Sequence, residues 1–188
     1  MPKEMRTLDA AVEARSGENG EAPRIFGYAA RFNALSEDLG GFREMIAPGA
    51  FGESLPRDDI RALFNHDANY VMGRTGAGTL KLWEDESGLA FEVTLPDAQW
   101  ARDLHTSVQR GDIDQCSFAF EVQEDAWETR DGARLRTLKR VKLYDVSVVT
   151  YPAYQSTIAA ARSLNRPKEE HLRERLDLKA KEIIGTGD

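Results

Sequence analysis

The chain has 188 residues, 41% of them hydrophobic and 30% charged. That is enough for one globular domain with a real core and some chain to spare, and too little for a large multidomain machine. With 25 basic against 32 acidic residues the formal charge is -7, so a sequence-blind pull toward phosphates is not expected and nucleic acid drops from the expected partners. A single cysteine, Cys116, removes intrachain disulfides and any cysteine-rich zinc site and fits a reducing compartment. No apolar run approaches the roughly 20 residues that span a bilayer, and no hydrophobic signal segment follows Met1, so the chain is expected to be soluble, not exported and without a membrane partner.

From Met1 to about Arg24 the residues are polar, with Ser16 to Glu21 especially so, and the stretch 1–24 reads as a flexible arm. From Ile25 onward short apolar runs alternate with Gly, Pro, Asn and Asp, the texture of a mostly β domain. The expected strands are Ile25–Phe32, Phe42–Ile46, Ile60–His66, Thr79–Glu84, Leu89–Leu95, Gln115–Gln123, Arg134–Lys139 and Val141–Thr150. A short helical turn is expected after Pro48. One helix is expected between Pro96 and Gly111, with Asp97 as N-cap, an apolar stripe of Trp100, Ala101, Leu104 and Val108, and Gly111 as terminator. Asp131-Gly132 marks a tight hairpin, because a type I′ turn needs positive φ at both central residues. The domain is expected to span 25–161. Residues 162–188 are dominated by charge, with Leu172, Leu176 and Ile183 spaced for one amphipathic helix.

Three histidines make any base working near neutral pH easy to search for. His171 falls in the charged tail, where a solvated side chain is the simpler reading, and His105 falls beside the helix stripe, where a structural role is. His66 ends the run Ile60–His66, where alternation places it on one face with Ile60, Ala62 and Phe64. There it is either a satisfied core histidine or a base held firmly with one nitrogen toward a cleft. Asp67 follows it but points to the opposite face. Asp145 lies inside the most apolar run, Val141–Val149, and burying it unpaired costs several kcal/mol, so it needs a partner. An imidazole would serve, and so would Arg136, Arg140 or Lys142. Ser117 occupies the smaller, more polar face of Gln115–Val122 with Gln115, Ala119 and Glu121, whereas Cys116, Phe118, Phe120 and Val122 form the apolar face. It either fills space in a sheet or projects into a cleft. Together Ser117, His66 and Asp145 have the chemistry of a nucleophile, its base and the acid that orients the base. The nucleophile elbow G-x-S-x-G of α/β-hydrolases is absent.

Around these residues the chain resembles the prohead (capsid maturation) proteases of tailed bacteriophages of the HK97 type, serine peptidases related in fold to the herpesvirus assemblins. The resemblance runs from about Ile25 to Ala161. It is carried by Gly27–Asn33, Phe42–Glu44 with Ile46–Phe51, Phe64–Asp67 followed by Gly73-Arg74, Asp85–Leu89, Arg110–Phe120, and Leu143–Val149 with Pro152–Tyr154. It implies a mainly β fold with flanking helices around a closed or nearly closed, assemblin-like barrel. It implies His66 as general base, Ser117 as nucleophile and Asp145 as third member, where relatives often carry glutamate and the assemblins a second histidine. Cys116 stands where relatives often have methionine. The oxyanion donors are expected among the backbone N–H groups around Ala153 and Tyr154, with Arg74 as a lesser candidate. No metal or cofactor is implied. The resemblance further implies a serine endopeptidase that removes the scaffolding segment of the major capsid protein, and often trims itself, inside the assembling procapsid in the bacterial host cytoplasm; self-association is open, since the assemblins act as dimers.

Two rival readings stand beside it. One is a non-catalytic capsid assembly protein of the same fold that binds scaffold through its tail. The other is a small metal hydrolase built on His66-Asp67, for which one such pair supplies too few ligands.

Overall fold

The structure, a computed structural model, describes residues 3–8, 12–17, 22–130 and 132–151. In chain order these form β1 (Glu4–Leu8), β2 (Val12–Arg15), β3 (Arg24–Arg31), β4 (Phe42–Ile46), β5 (Arg61–Phe64), β6 (Asp67–Arg74), β7 (Leu80–Glu84), β8 (Gly88–Thr94), α1 (Gln99–Gln109), β9 (Gln115–Arg130) and β10 (Ala133–Val149). The mainly β expectation holds. The closed or nearly closed barrel does not. The described strands make two open sheets, one in the order β1-β9-β10-β5-β6 with β4 also on β10, the other β2-β3-β8-β7. Pairing is antiparallel throughout the smaller sheet, and parallel in the larger one only where β4 and β5 meet β10. Closure fails because the outer strands β1 and β6 have no ladder to each other or to the smaller sheet among the described residues. Flanking helices reduce, among the described residues, to one α-helix.

Both sheets turn apolar faces to one core. Ile25, Ala29, Phe91 and Val93 enter it from the smaller sheet, and Cys116, Phe118, Phe120, Val146 and Val148 from the larger. Phe51 ties the chain between β4 and β5 into this core, edge-on to Phe118 and stacked with Phe32, at centroid distances of 5.6 and 6.3 Å; such ring pairs add about 0.5–1.5 kcal/mol to simple burial. Gly88 opens β8 where the backbone of β3 passes so close that a Cβ would fall 1.9 Å from the Ala30 carbonyl oxygen. The expected helical turn after Pro48 is a string of turns, with Ala50 N bonded to Ala47 O and Leu55 N to Phe51 O.

Helix α1 forms where expected, burying Ala101, Leu104, His105 and Val108. Its N-cap is Ala98, not Asp97; the Asp97 carboxylate is taken by Arg102. Gly111 ends the helix at φ 77° with its N–H on Val108 O, a conformation glycine reaches without steric cost.

Two expectations change in ways that matter for the site. Part of the stretch expected to be a loose arm over 1–24 is paired strand: β1 lies on β9, with Thr7 opposite Ser117, and β2 lies on β3. The two runs expected on either side of Arg140 are one strand, β10, interrupted by register shifts between Leu138 and Val141 and again between Leu143 and Asp145. The shifts fall where β10 exchanges one neighbour for another: β4 pairs with Arg134–Leu138 and β5 with Asp145–Val148. In between, the 47–55 segment serves the β10 backbone, with Ala47 N on Leu138 O, Val141 N on Ala50 O and Leu143 N on Ser54 Oγ. The expected tail helix of 162–188, with His171, and the end of the 25–161 domain lie outside the described residues.

Candidate active site

Ser117 and Asp145 come from adjacent strands of the larger sheet. β9 and β10 pair so that Ser147 faces Ser117 and Asp145 faces Ala119. Side chains two apart on a strand share a face, so Ser117, Ser147 and Asp145 line one patch, on the opposite side of the sheet from Cys116 and Phe118. The extra residue at Tyr144 resets the register just before Asp145, the re-aiming that a β-bulge provides.

His66 is not the last residue of a strand. β5 ends at Phe64, which pairs directly with Asp67 of β6, so Asn65 and His66 are the two central residues of the hairpin turn, at φ 54° and 56°. That is the type I′ conformation, ordinarily given to Asn-Gly, and a histidine there carries a left-handed cost of about 1–2 kcal/mol. Asn65 clamps the turn to the end of β10. Its backbone N–H donates to Val148 O (2.9 Å), its Oδ1 accepts from Thr150 N (2.9 Å) and its Nδ2 donates to Thr150 Oγ1 (3.2 Å). The turn carries the imidazole back over the Ser117 patch; strained turns of this kind collect at functional sites.

The result is one hydrogen-bonded chain. His66 Nε2 lies 2.7 Å from Ser117 Oγ, and His66 Nδ1 lies 2.6 Å from Asp145 Oδ1. Ser147 Oγ donates to the same Asp145 oxygen at 3.0 Å and lies 3.2 Å from His66 Nδ1. The other carboxylate oxygen, Oδ2, accepts from Lys3 Nζ at 3.0 Å. Asp145 is 2% exposed. Burial by itself pushes its carboxyl up, but the hydrogen bond and charge of His66, with Lys3, outweigh that and hold it below the usual carboxylate range.

The structure thus brings together His66, Ser117 and Asp145 and separates the alternatives. Arg140 pairs with Glu53 (3.1 Å), and Arg136 with Glu4, Glu44 and Asp125. Asp67 accepts from Asn69 and takes no part. Arg74 is held by Asp59 at 2.5 Å. His105 is buried in α1 with Nε2 unpartnered. Ala153 and Tyr154 lie outside the described residues. Cys116 is fully buried on the apolar face, and that burial pushes its thiol far up, making it inert. Among the described residues no group of three or more metal-ligating side chains occurs, and no helix is long and apolar enough to cross a membrane.

Ser147, Asn65 and Lys3 were not singled out from the sequence. Ser147 was within reach, since it lies two residues from Asp145 on the same face; nothing local pointed to Lys3.

No curated protein matches the chain. A solved structure similar to it is that of the capsid assembly protease of bacteriophage T4, at 11% identity over 78% of this chain and 98% of that one, with a TM-score of 0.44. Residues 10–170 match the family model described as Caudovirus prohead serine protease, and the chain belongs to that family of capsid-maturation proteases.

Proposed function

We propose that this chain is the serine endopeptidase that cleaves the scaffolding segment of a major capsid protein inside the procapsid, and trims itself, with Ser117 as nucleophile, His66 as base and Asp145 as orienting acid. The observation that carries the reading is the uninterrupted chain from Asp145 Oδ1 through both ring nitrogens of His66 to Ser117 Oγ, at 2.6 and 2.7 Å. Asp145 accepts from Nδ1–H, which leaves the Nε2 lone pair toward the serine. As Oγ attacks a peptide carbonyl carbon, Nε2 takes the hydroxyl proton, and the carboxylate stabilises the resulting imidazolium. The proton then goes to the leaving amine as the C–N bond breaks. Water hydrolyses the acyl-enzyme ester by the same route in reverse. Each donor to the tetrahedral oxyanion is worth about 3–4 kcal/mol; the backbone N–H groups of Ala153 and Tyr154 remain the proposed pair. Kinship in fold with the assemblins belongs to this reading too, supported by a nucleophile carried within a strand and not at a strand-to-helix elbow.

Co-expression with the cognate capsid protein, read by intact mass, tests it. The wild-type chain trims the capsid protein and Ser117→Ala leaves it whole. Trimming at the same sites by Ser117→Ala would overturn the triad and favour the non-catalytic assembly role.

A further inference from the structure

A serine nucleophile works only if a peptide carbonyl can reach it, yet Ser117 is 0% exposed. What covers it is a peptide carbonyl of the same chain: the Arg6 carbonyl oxygen lies 2.9 Å from Ser117 Oγ. β9 has two edges. β10 occupies one along its whole length, and among the described residues β1 occupies the other over Cys116–Phe120. The β1 edge is therefore where an extended peptide could lay its backbone along the nucleophile, in the manner of strand addition. No described β1 side chain is fully buried. Besides its ladder to β9, this segment is held by ion pairs of Lys3 on Asp145, Arg6 on Glu44 and Glu4 on Arg136.

The contact of Arg6 with Glu44 is a built site. Glu44 is 3% exposed. Its Oε1 accepts from Arg6 Nε at 2.7 Å and its Oε2 from Arg6 Nη2 at 3.0 Å, a fork that matches guanidinium geometry. The guanidinium also lies 5.5 Å from the Phe120 ring centroid. Arg136 reaches Glu44 Oε2 at 3.2 Å, so the carboxylate keeps a partner when Arg6 leaves, while Oε1 loses its donor. A buried acid with one oxygen waiting for a cation selects basic side chains, and arginine over lysine because only arginine supplies the fork.

We infer that β1 occupies the substrate's place: a protein substrate docks as an extended strand antiparallel to β9, with an arginine or lysine seated on Glu44 and that residue's carbonyl presented to Ser117, after β1 has left. This rests on the triad reading and adds its substrate preference and its control. The bond broken is the one from the seated basic residue to the next: Oγ forms the ester to its carbonyl carbon, and the departing amine takes the proton from His66 Nε2. While β1 is seated the same space is filled, so the free chain is held off.

The test uses the full chain and a fluorophosphonate that labels Ser117, with Ser117→Ala as blank. Arg6→Glu sets an acid against Glu44 and Glu4, and its labelling is expected to be at least ten-fold faster than wild type, with Arg6→Lys between the two. The synthetic peptide Lys-Glu-Met-Arg-Thr-Leu added to Arg6→Glu slows labelling again, and the same peptide with glutamate for arginine does not. On an unfolded test protein, Arg6→Glu cuts after Arg and Lys, and adding Glu44→Gln lowers the Arg-over-Gln preference in kcat/KM at least ten-fold while Ser117 still labels. Labelling of Arg6→Glu at the wild-type rate, or cuts without basic preference, would overturn the inference and leave the triad standing. No labelling in any variant, with the capsid protein left whole by wild type, would remove both. Should Arg6→Glu not fold, Arg6→Ala provides the second route, since it removes the fork on Glu44 without adding a charge. Its labelling must be at least three-fold faster than wild type, and an equal rate would overturn the inference.

Discussion

The hairpin of β9 and β10 is built in two halves that obey different rules. In the far half, Gln123–Arg130 with Ala133–Leu138, the ladder runs without a shift up to Leu138, and side chains are mostly exposed or half-buried. In the near half, Gln115–Val122 with Val141–Val149, most residues are buried, on both faces, including Ser117, Asp145 and Ser147. Two register shifts, between Leu138 and Val141, separate the halves, and a third, between Leu143 and Asp145, lies within the near half. Alternation governs a strand with one wet face. Where both faces are covered, polar residues persist only if each has a partner, and here they have one another, His66 and β1. The near half trades local regularity for a placed set of polar groups.

The largest test of that contrast is Asp145→Asn. The amide keeps the volume but cannot accept from Nδ1–H as a carboxylate does, so capsid-protein cleavage should fall about 10³–10⁴-fold, measured as kcat/KM on a peptide from the cleavage site. The same variant separates charge from shape by pH. Because the folded state holds the Asp145 carboxyl low, the unfolded chain binds that proton first as pH drops. The stabilisation is therefore full above the ordinary carboxyl value of about 3.9 and is lost as pH falls through the lower folded value. Urea midpoints of wild type and Asp145→Asn should converge only below about pH 3.9; a gap unchanged down to the lowest pH would mean that the charge contributes nothing.

Packing ranks next. Leu143, 1% exposed beside the Tyr144 shift, should cost about 2–5 kcal/mol as Leu143→Ala, read as a shift of the urea midpoint at constant slope. Asn65→Ala comes below it. It removes both side-chain bonds to Thr150 and leaves alanine at φ 54°, so the His66 turn loosens and kcat should drop about ten-fold, roughly 1.4 kcal/mol in the barrier. Asn65→Asp, which keeps the acceptor for Thr150 N, should recover part of the loss if Asn65 positions His66.

How much of this could be read from residues alone follows the same division. β3, β4, β7, β8, α1 and the near part of β9 were visible because their apolar periods are local. β1 was not. Glu4–Leu8 has no apolar pattern, and its partners, the β9 ladder and Glu44, lie far along the chain. β6 carries no such signal, because most of its first residues are exposed and its ladder to β5 shifts register twice. Alternation alone puts His66 on a strand, because it carries no information about positive φ, which only the Phe64–Asp67 pairing makes visible. Alternation divides β10 at Arg140, because a bulge breaks alternation in the sequence as it breaks register in the fold. The three site residues were proposed separately on chemistry and together on resemblance, and their convergence depends on the Asn65 clamp and the Tyr144 shift, which no short-range pattern announces.

The smallest effect is the most direct probe of the far half. Trp127 is 44% exposed, with its ring 5.0 Å from Phe42 and the guanidinium of Arg134 4.6 Å from its centroid. Neither contact enters the core. An exposed cation-π pair contributes about 0.5–1 kcal/mol and a half-wet ring pair a similar amount. Trp127→Ala should therefore cost about 1 kcal/mol in urea, well below Leu143→Ala, although the side chain removed is larger. A cost of 3 kcal/mol or more, in the range of core aromatic truncations, would mean that the far half is packed as tightly as the near half. The shifts between Leu138 and Val141 would then be a local irregularity within one continuous core and not its boundary.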